Sequence, residues 1–595
     1  MKELKSLNKF LIRYKWRLLL GVLFIVGANW FNLYPAQIFR NAIDIVVETI
    51  NTYKNLKGSE LQSEVYENLA KALLIFAALL LAVALIKGIF TFFMRYTIIM
   101  VSRFIEFDLK NEIYNHYQNL DTSFYKENKT GDIMNRIGDD VSKVRMYLGP
   151  SIMYLINLVV LFALVITTMV NINAELSLYI LLPLPVLSVT IYYVSRLINI
   201  KSERVQKQLS KLFSLSQETF AGIRVIKAYN KSNSTIENFN QEAQNYRSIA
   251  MNLVTTESLF YPVILFLPVL STLITIYVGG LEVIKGTITY GNIGEFVIYI
   301  NLLTWPVASL GWVTSLIQRA VASQKRINEF LLTEPKIKNH TIEPIEIKGS
   351  IEFKNVQFTY PESGIEALKD ISFKVQPGQT LAIVGKTGSG KSTIVQLLNR
   401  LYDNSSGEIL IDNCSIQNIN LNDLRNQTGS VPQDVFLFSD TIGNNISFGT
   451  FGKDGKSNQE DIEWAAQQAV VHKNIKEFNK GYETVVGERG VTLSGGQKQR
   501  VSIARAILKN PKILIFDDCL SAVDTETEQK ILANLKHIMA NKTTIIVSHR
   551  ISSIQDADHI IMVENGKIIE EGKHYELIGL KGAYNSLYQK QLIED

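Results

Sequence analysis

Gly385-Lys-Thr-Gly-Ser-Gly-Lys-Ser392 follows the short apolar run Leu381–Val384 and leads through Thr393 into a helical stretch. Gly, four residues, then Gly-Lys-Ser, placed between a strand and a helix, is the pattern of a phosphate-binding loop rather than a chance glycine turn. Glycines let backbone N–H groups converge on phosphate oxygens, and the helix that follows adds a favourable dipole. The loop residues Gly385, Lys386, Thr387, Gly388, Ser389, Gly390, Lys391, Ser392 and Thr393 are therefore candidates for binding ATP. Lys391 is the group expected to reach the β- and γ-phosphates, and the Ser392 hydroxyl the one expected to ligate Mg²⁺.

Downstream, Ile513-Leu-Ile-Phe-Asp517 reads as a buried strand ending in an acid, the usual position for a carboxylate that orients Mg²⁺ opposite such a loop. Alone it is weak, because many buried strands end in Asp; its value lies in occurring with the loop. Ile351–Phe353, Val356–Phe358 and Thr544–Val547 also read as strands. Strands alternating with helices predict a mostly parallel sheet, and hence an α/β domain.

Upstream the composition changes sharply. The chain has 595 residues, 47% of them hydrophobic, and up to about Val313 the apolar runs are long with few charges. Six are long enough to cross a bilayer: approximately Leu18–Ile38, Leu69–Phe93, Ser151–Val170, Ser177–Leu197, Leu259–Gly279 and Ile293–Val313. Lys2, Lys5, Lys9, Arg13, Lys15 and Arg17 precede the first run, which places the N-terminus in the cytoplasm by the positive-inside rule. An even number of spans returns the chain there. That first run is too long for a signal peptide, contains Trp30, Tyr34 and Pro35, and shows no clear small-residue cleavage site. The segment Asn41–Asn68, with Asp44, Glu48, Glu60, Glu64 and Glu67 against Lys54 and Lys57, is expected to face outward.

The inward connections, roughly Arg103–Arg145 and Asn199–Glu257, keep helical periodicity and predict membrane helices continuing well into the cytoplasm. Thr122–Asp132 and Leu212–Gly222 are expected to interrupt them, and Gln318–Leu332 to form an amphipathic helix ended by Glu334-Pro335. The net charge of +5 is modest, and no nucleic-acid partner is expected. Cys414 and Cys519 offer neither a disulfide framework nor a metal cluster. Abundant Lys, Ile and Asn are compatible with an AT-rich bacterial genome.

Leu493-Ser494-Gly495-Gly496-Gln497 resembles the signature motif of ATP-binding cassette (ABC) proteins, and the other family elements have counterparts around it. Tyr360 matches the aromatic that stacks on adenine. Gln433, in Val-Pro-Gln-Asp, matches the glutamine that senses Mg²⁺. Ser521-Ala-Val-Asp524 matches the loop that touches an opposite cassette, and His549 the histidine near the γ-phosphate. The resemblance implies that Ser494, Gly495, Gly496, Gln497 and Asp524 act on ATP held by a second cassette, so that the chain works as a dimer. Gly487-Glu-Arg-Gly490 resembles a loop of exporters. Asn128-Lys-Thr-Gly131, with Arg136 and Asp139-Asp140-Val141, resembles the first coupling region of exporters, and Glu218 with Gly222–Tyr229 the second. The implied architecture is an all-α membrane domain over residues 1–332, a linker over 333–348 and an α/β P-loop ABC nucleotide-binding domain over 349–595. The implied activity is ATP-driven export or flipping of amphipathic small molecules, drugs or lipids across the inner (cytoplasmic) membrane of a bacterium.

One residue departs from that pattern. Family members carry glutamate after the strand-terminal Asp as the base that polarises water; here it is Asp518. The missing methylene withdraws the carboxylate by about 1 Å, and misplacement on that scale costs about 10²-fold in rate. A site that binds Mg-ATP well and hydrolyses it slowly is expected, and with it a heterodimer in which a second ABC half-transporter supplies the glutamate. A homodimer with two slow sites and a regulatory, channel-like protein gated by ATP are the alternatives. The spans also carry Asn29, Trp30, Asn32, Tyr34, Lys87, Arg95, Asn157, Glu295, Tyr299, Asn301 and Trp305. None of them identifies a substrate. Lys87 and Arg95 are explained by snorkelling toward the inner face, and Glu295 as an interfacial group. Pro183, Pro185, Pro262, Pro268 and Pro306 are expected kinks or hinges.

Overall fold

The computed structural model describes residues 2–56, 61–450, 458–487, 493–521 and 523–594. Two compact units emerge: Met1–Tyr117 with Gly131–Thr333, and Gln118–Thr130 with Glu334–Asp595.

The first unit is helical. Six long apolar helices account for it: α1 (Lys15–Asn55), α2 (Leu61–Asn119), α3 (Thr130–Ile172), α4 (Ala174–Ala221), α5 (Ser232–Ile284) and α6 (Tyr290–Leu331). At 1.5 Å per residue even the shortest is about 60 Å long, roughly twice the bilayer's hydrocarbon thickness. Leu33, Leu161, Val165, Leu187, Phe296 and Leu303 join α1, α3, α4 and α6 in one buried cluster. Small residues let the helices approach: a Cβ on Gly21 would lie 2.5 Å from the Ile98 side chain of α2. None of the most apolar window of α2 is buried within the chain. That surface is left for hydrocarbon or another chain.

Several expectations are corrected here. The segment expected to face outward is helical on both sides of residues 57–60, over Asn41–Asn55 and Leu61–Asn68, which leaves that expectation as it stands; Lys57 and Glu60 lie outside the described residues. The second interruption falls later than expected. The helix runs through Leu212 to Ala221, breaks at Gly222, resumes over Ile223–Ala228 and turns again before Ser232. Gln318–Leu332 is no separate helix but the end of α6. Among the prolines, Pro183 opens a new helical segment after Leu182, whereas the helices continue through Pro262, Pro268 and Pro306.

Glu295 faces the protein interior rather than solvent or lipid. Its side chain is fully buried, paired with Arg40 Nη1 at 3.2 Å and accepting a bond from Tyr299 Oη at 2.8 Å. Asn29 donates to Asn157 Oδ1 at 2.9 Å, joining α1 to α3 inside the bundle. Asp140 is buried as well and holds Ser323 Oγ at 2.8 Å and Arg326 Nε at 3.0 Å.

The second unit is α/β. Strands β1 (Ile351–Thr359), β2 (Glu366–Val375), β4 (Ser406–Ile411) and β5 (Cys414–Ser415) form an antiparallel sheet in the order β2-β1-β4-β5. Ile351–Phe353 and Val356–Phe358 are one strand, bulged between Phe353 and Val356. The second sheet has the order β10-β9-β3-β8-β7-β6, built from β3 (Thr380–Val384), β6 (Thr428–Val431), β7 (Ile513–Asp517), β8 (Thr543–Val547), β9 (His559–Glu564) and β10 (Lys567–Gly572). All its neighbours are parallel except β9 and β10. Every residue of β7 and β8 is buried, as parallel strands covered on both faces require. Residues before β1 lie along this unit rather than hanging free: Arg400 Nη2 donates to Lys338 O at 3.1 Å, and Asp412 accepts from the Ser350 amide at 2.8 Å.

The candidate ATP site

Sheet order assembles the site. Strands β3, β8, β7 and β6 are neighbours, and ligands bind beyond the carboxyl ends of such strands. The Gly385–Ser392 loop leaves β3, His549 follows β8, Asp517 and Asp518 end β7, and Gln433 follows β6. Ser392 and Asp517, 125 positions apart in sequence, are thereby side by side. They line a cavity of about 510 Å³ with Tyr360 and Thr387–Thr393.

Lys391 opens the helix α7 (Lys391–Leu398), which starts after Gly390 at φ +109°. Its ammonium donates to Gly385 O and Lys386 O, each at 2.8 Å, which folds the loop around it. Burial lowers the Lys391 pKa, and Asp518 and Asp517 oppose that shift. A Cβ on Gly385 would lie 2.1 Å from Val563 O, so only glycine fits there. Ser389 Oγ is buried without a hydrogen-bond partner among the described residues, a donor awaiting an acceptor. Ser392 Oγ donates to Asp517 Oδ1 at 3.0 Å, bringing together two of the oxygens expected at Mg²⁺. The third expected group, Gln433, donates to Asp518 Oδ2 at 3.3 Å. Burial raises the pKa of both Asp517 and Asp518; Ser392 opposes it at the first and His549 at the second.

Tyr360 closes the far side. Its hydroxyl lies 3.0 Å from Thr393 Oγ1, and its ring meets Phe358 and Tyr402 edge-on. The Lys126 ammonium, from the short helix Thr122–Glu127, sits 5.0 Å from the centroids of both tyrosine rings.

The signature residues are elsewhere. Neither Ser494–Gln497 nor Asp524 lines the cavity. Ser494 and Gln497 form a reciprocal cap on α8 (Gly495–Leu508), with Gln497 Oε1 accepting from the Ser494 amide at 2.9 Å. Asp524 caps α9 (Thr525–Met539), accepting from the Thr527 amide at 2.9 Å. Of the Gly487–Gly490 motif only Gly487 is among the described residues, and Ala522 is likewise outside them.

Sequence reasoning missed three supports. Asn565-Gly566 is the tight turn of the β9–β10 hairpin, both residues at positive φ. Its Gly566 amide donates to Ser389 O at 3.0 Å, bracing the loop. An Asn-Gly pair between apolar runs is a readable hairpin signal. Lys386 pairs with Glu564 at 2.9 Å. Gln591, on the last helix α10 (Ala583–Glu594), donates to His549 O at 2.5 Å and accepts from the Ile551 amide at 2.9 Å. Nothing local in the sequence signals that contact.

Comparison with known proteins agrees with both units. Residues 18–307 match the family model for the ABC transporter transmembrane region, and residues 368–521 that for ABC transporter. The probable multidrug resistance ABC transporter ATP-binding/permease protein YheI of Bacillus subtilis is 34% identical, over 99% of this chain and 97% of its own. The ATP-dependent lipid A-core flippase of Aliivibrio fischeri is 33% identical, over 86% of this chain and 88% of its own. A solved bacterial Atm1-family ABC exporter with ATP bound superposes with a TM-score of 0.77 at 27% identity, over 98% and 99% of the two chains. With a membrane unit and an ATPase unit on one polypeptide, the chain belongs to the ABC transporter family and has the fold of its exporters.

Proposed function

We propose that this chain is one half of a dimeric exporter that moves amphipathic small molecules, drugs or lipids across the inner membrane of a bacterium, and that its own ATP site is the slow one of two. The reading rests on Asp518, which stands where the family pattern has glutamate. Two relatives named for multidrug resistance and lipid flipping support the substrate range; no observation favours a gated channel.

In this reading Tyr360 stacks on the adenine and the loop amides with Lys391 hold the phosphates. The residues present fit Mg-ATP: the Ser389 hydroxyl lacks a hydrogen-bond partner among the described residues, and Ser392 and Asp517 already converge. Among the described residues no cluster of three His, Cys, Asp or Glu side chains could hold a metal alone, so Ser392, Asp517 and Gln433 would share Mg²⁺ with phosphate oxygens. The ion would supply charge neutralisation there. Asp518, one methylene short, would polarise water poorly, with His549 beside it. Ser494–Gln497 and Asp524, standing outside the cavity, would serve the nucleotide of a partner cassette. Both termini would be cytoplasmic.

The test is ATP turnover by the purified chain alone and with a second half-transporter bearing the glutamate. Little turnover alone and robust turnover together is the expected result. Robust turnover by the pure homodimer would sink the heterodimer reading.

A further inference from the structure

A second cavity, of about 650 Å³, lies wholly within the membrane unit. Its apolar wall is mostly aromatic: Trp305 and Trp312 of α6, Tyr154 of α3 and Phe260 of α5, with Ile198 and Ile264 beside them. Tyr154 and Trp312 meet edge to face with centroids 5.6 Å apart, a stiff corner rather than a loose surface. Ser195 and Asn199 of α4 add neutral polar groups. α4 and α6 touch at Gly311, where a Cβ would lie 2.7 Å from Ser195 Oγ.

The charge distribution is one-sided. Among the described residues Arg319 is the only charged side chain lining this cavity, and no carboxylate lines it. Arg319 is exposed and forms no ion pair with any described residue. Trp305 and Arg319 lie about 21 Å apart along α6, and Arg319 about 9 Å beyond Val313, the end of the apolar run, at 1.5 Å per residue. The cavity is thus a slot with an aromatic body in the hydrocarbon zone and a lone guanidinium at headgroup depth.

The geometry points to an anionic amphiphile as the occupant, its apolar body along Trp305 and Phe260 and its phosphate, sulfate or carboxylate on Arg319. A guanidinium offers two parallel donors to such an oxyanion. A cationic amphiphile of the same size finds no carboxylate and meets a like charge. The inference rests on the exporter reading and narrows its substrate class.

The test uses full-length protein in zwitterionic nanodiscs, without nucleotide, titrated with dodecyl phosphate, dodecyltrimethylammonium or inorganic phosphate while tryptophan emission is followed. Dodecyl phosphate is expected to bind saturably and about tenfold more tightly than the ammonium, as one charge-assisted contact allows. Inorganic phosphate should leave the emission unchanged. Arg319→Gln should remove the preference, Arg319→Lys should keep most of it, and replacing Trp305 and Trp312 by Phe should remove most of the signal. Equal binding of both amphiphiles by the unaltered protein, or an undiminished preference in Arg319→Gln, overturns the inference. ATP-driven transport that favours cations would overturn it too while leaving the exporter reading intact. Preserved anion binding with no ATP-driven transport of any probe would overturn the exporter reading alone.

Discussion

Gln433 and Asp518 are joined directly, Nε2 to Oδ2 at 3.3 Å, so the residue that stands for the missing glutamate is tied to the loop after β6. Asp518 also sits at φ +46°, in the left-handed region, with its amide bonded to Val547 O at 2.9 Å. Aspartate tolerates that backbone better than most side chains. The short carboxylate is thus held close to the sheet edge by its backbone as well as by its length.

Restoring the methylene should restore the chemistry. Asp518→Glu is expected to raise hydrolysis at this site by up to about 10²-fold, with a slight loss of stability because Glu suits the left-handed backbone less well. Asp518→Asn should remove the remaining turnover and keep Mg-ATP binding. Single-turnover hydrolysis, with the partner's site disabled, reads this directly; an unchanged rate in Asp518→Glu would show that carboxylate reach is not what limits the site.

The two neighbouring carboxylates also set a pH dependence. Burial raises the pKa of Asp517 and of Asp518, so the folded, nucleotide-free unit holds protons that the unfolded chain has already released. The stability these groups contribute is fully present below the ordinary aspartate pKa and is lost as pH rises through the raised values. Other acids shift the opposite way, Asp440 among them through its bonds from Asn444 and Thr441, so the informative quantity is a difference. Thermal unfolding without nucleotide should show Asp518→Asn gaining on the unaltered protein as pH rises from about 4 toward 7. A gap independent of pH would contradict the burial argument.

The residues that converge on the candidate site are largely legible in sequence because its parts are local. A glycine loop between strand and helix, an acid ending an apolar strand and a capped signature helix each leave a short pattern. The spans were legible from length and apolar content. What escaped depends on tertiary pairing. The burial of Glu295 is not legible because its partner Arg40 lies 255 residues away. The interruption expected over Leu212–Gly222 falls only at its last residue, since the polar residues before it are accommodated on the exposed face of a long helix. The sequence reads as two strands where β1 is one bulged strand, because Asn355, at φ +49°, punctuates the ladder.

Removing one member of the Arg40–Glu295 pair should be costly. Glu295 is 0% exposed and Arg40 31%, and Asn292 Nδ2 adds a bond at 3.2 Å. Breaking a buried pair by deleting one partner typically costs about 3–5 kcal/mol. Glu295→Ala is therefore expected to lower the thermal stability of the purified protein clearly, by roughly that amount. Glu295→Gln, which can still accept from Tyr299, should lose less. The double variant Arg40→Met with Glu295→Met should recover most of the loss, and a double variant as unstable as Glu295→Ala would refute the pairing argument.

His549 is held from behind by Gln591, a residue that does not line the cavity. Gln591 engages His549 O and the Ile551 amide, while the adjacent Arg550 pairs with the buried Glu528 at 2.5 Å and Ser553 Oγ donates to the same carboxylate at 2.7 Å. The strand-to-loop turn carrying His549 is therefore clamped from two helices, α10 and α9. Gln591→Ala leaves the Arg550 clamp in place and frees one side of the backbone, a displacement on the ångström scale. In the Asp518→Glu background, where faster turnover is expected, it should lower the hydrolysis rate by roughly tenfold to a hundredfold with ATP affinity unchanged. Fluorescent-nucleotide binding measured beside single-turnover rates separates the two. A parallel loss of affinity and rate would mean that Gln591 merely holds the domain together, whereas loss of rate alone identifies it as the residue that positions His549.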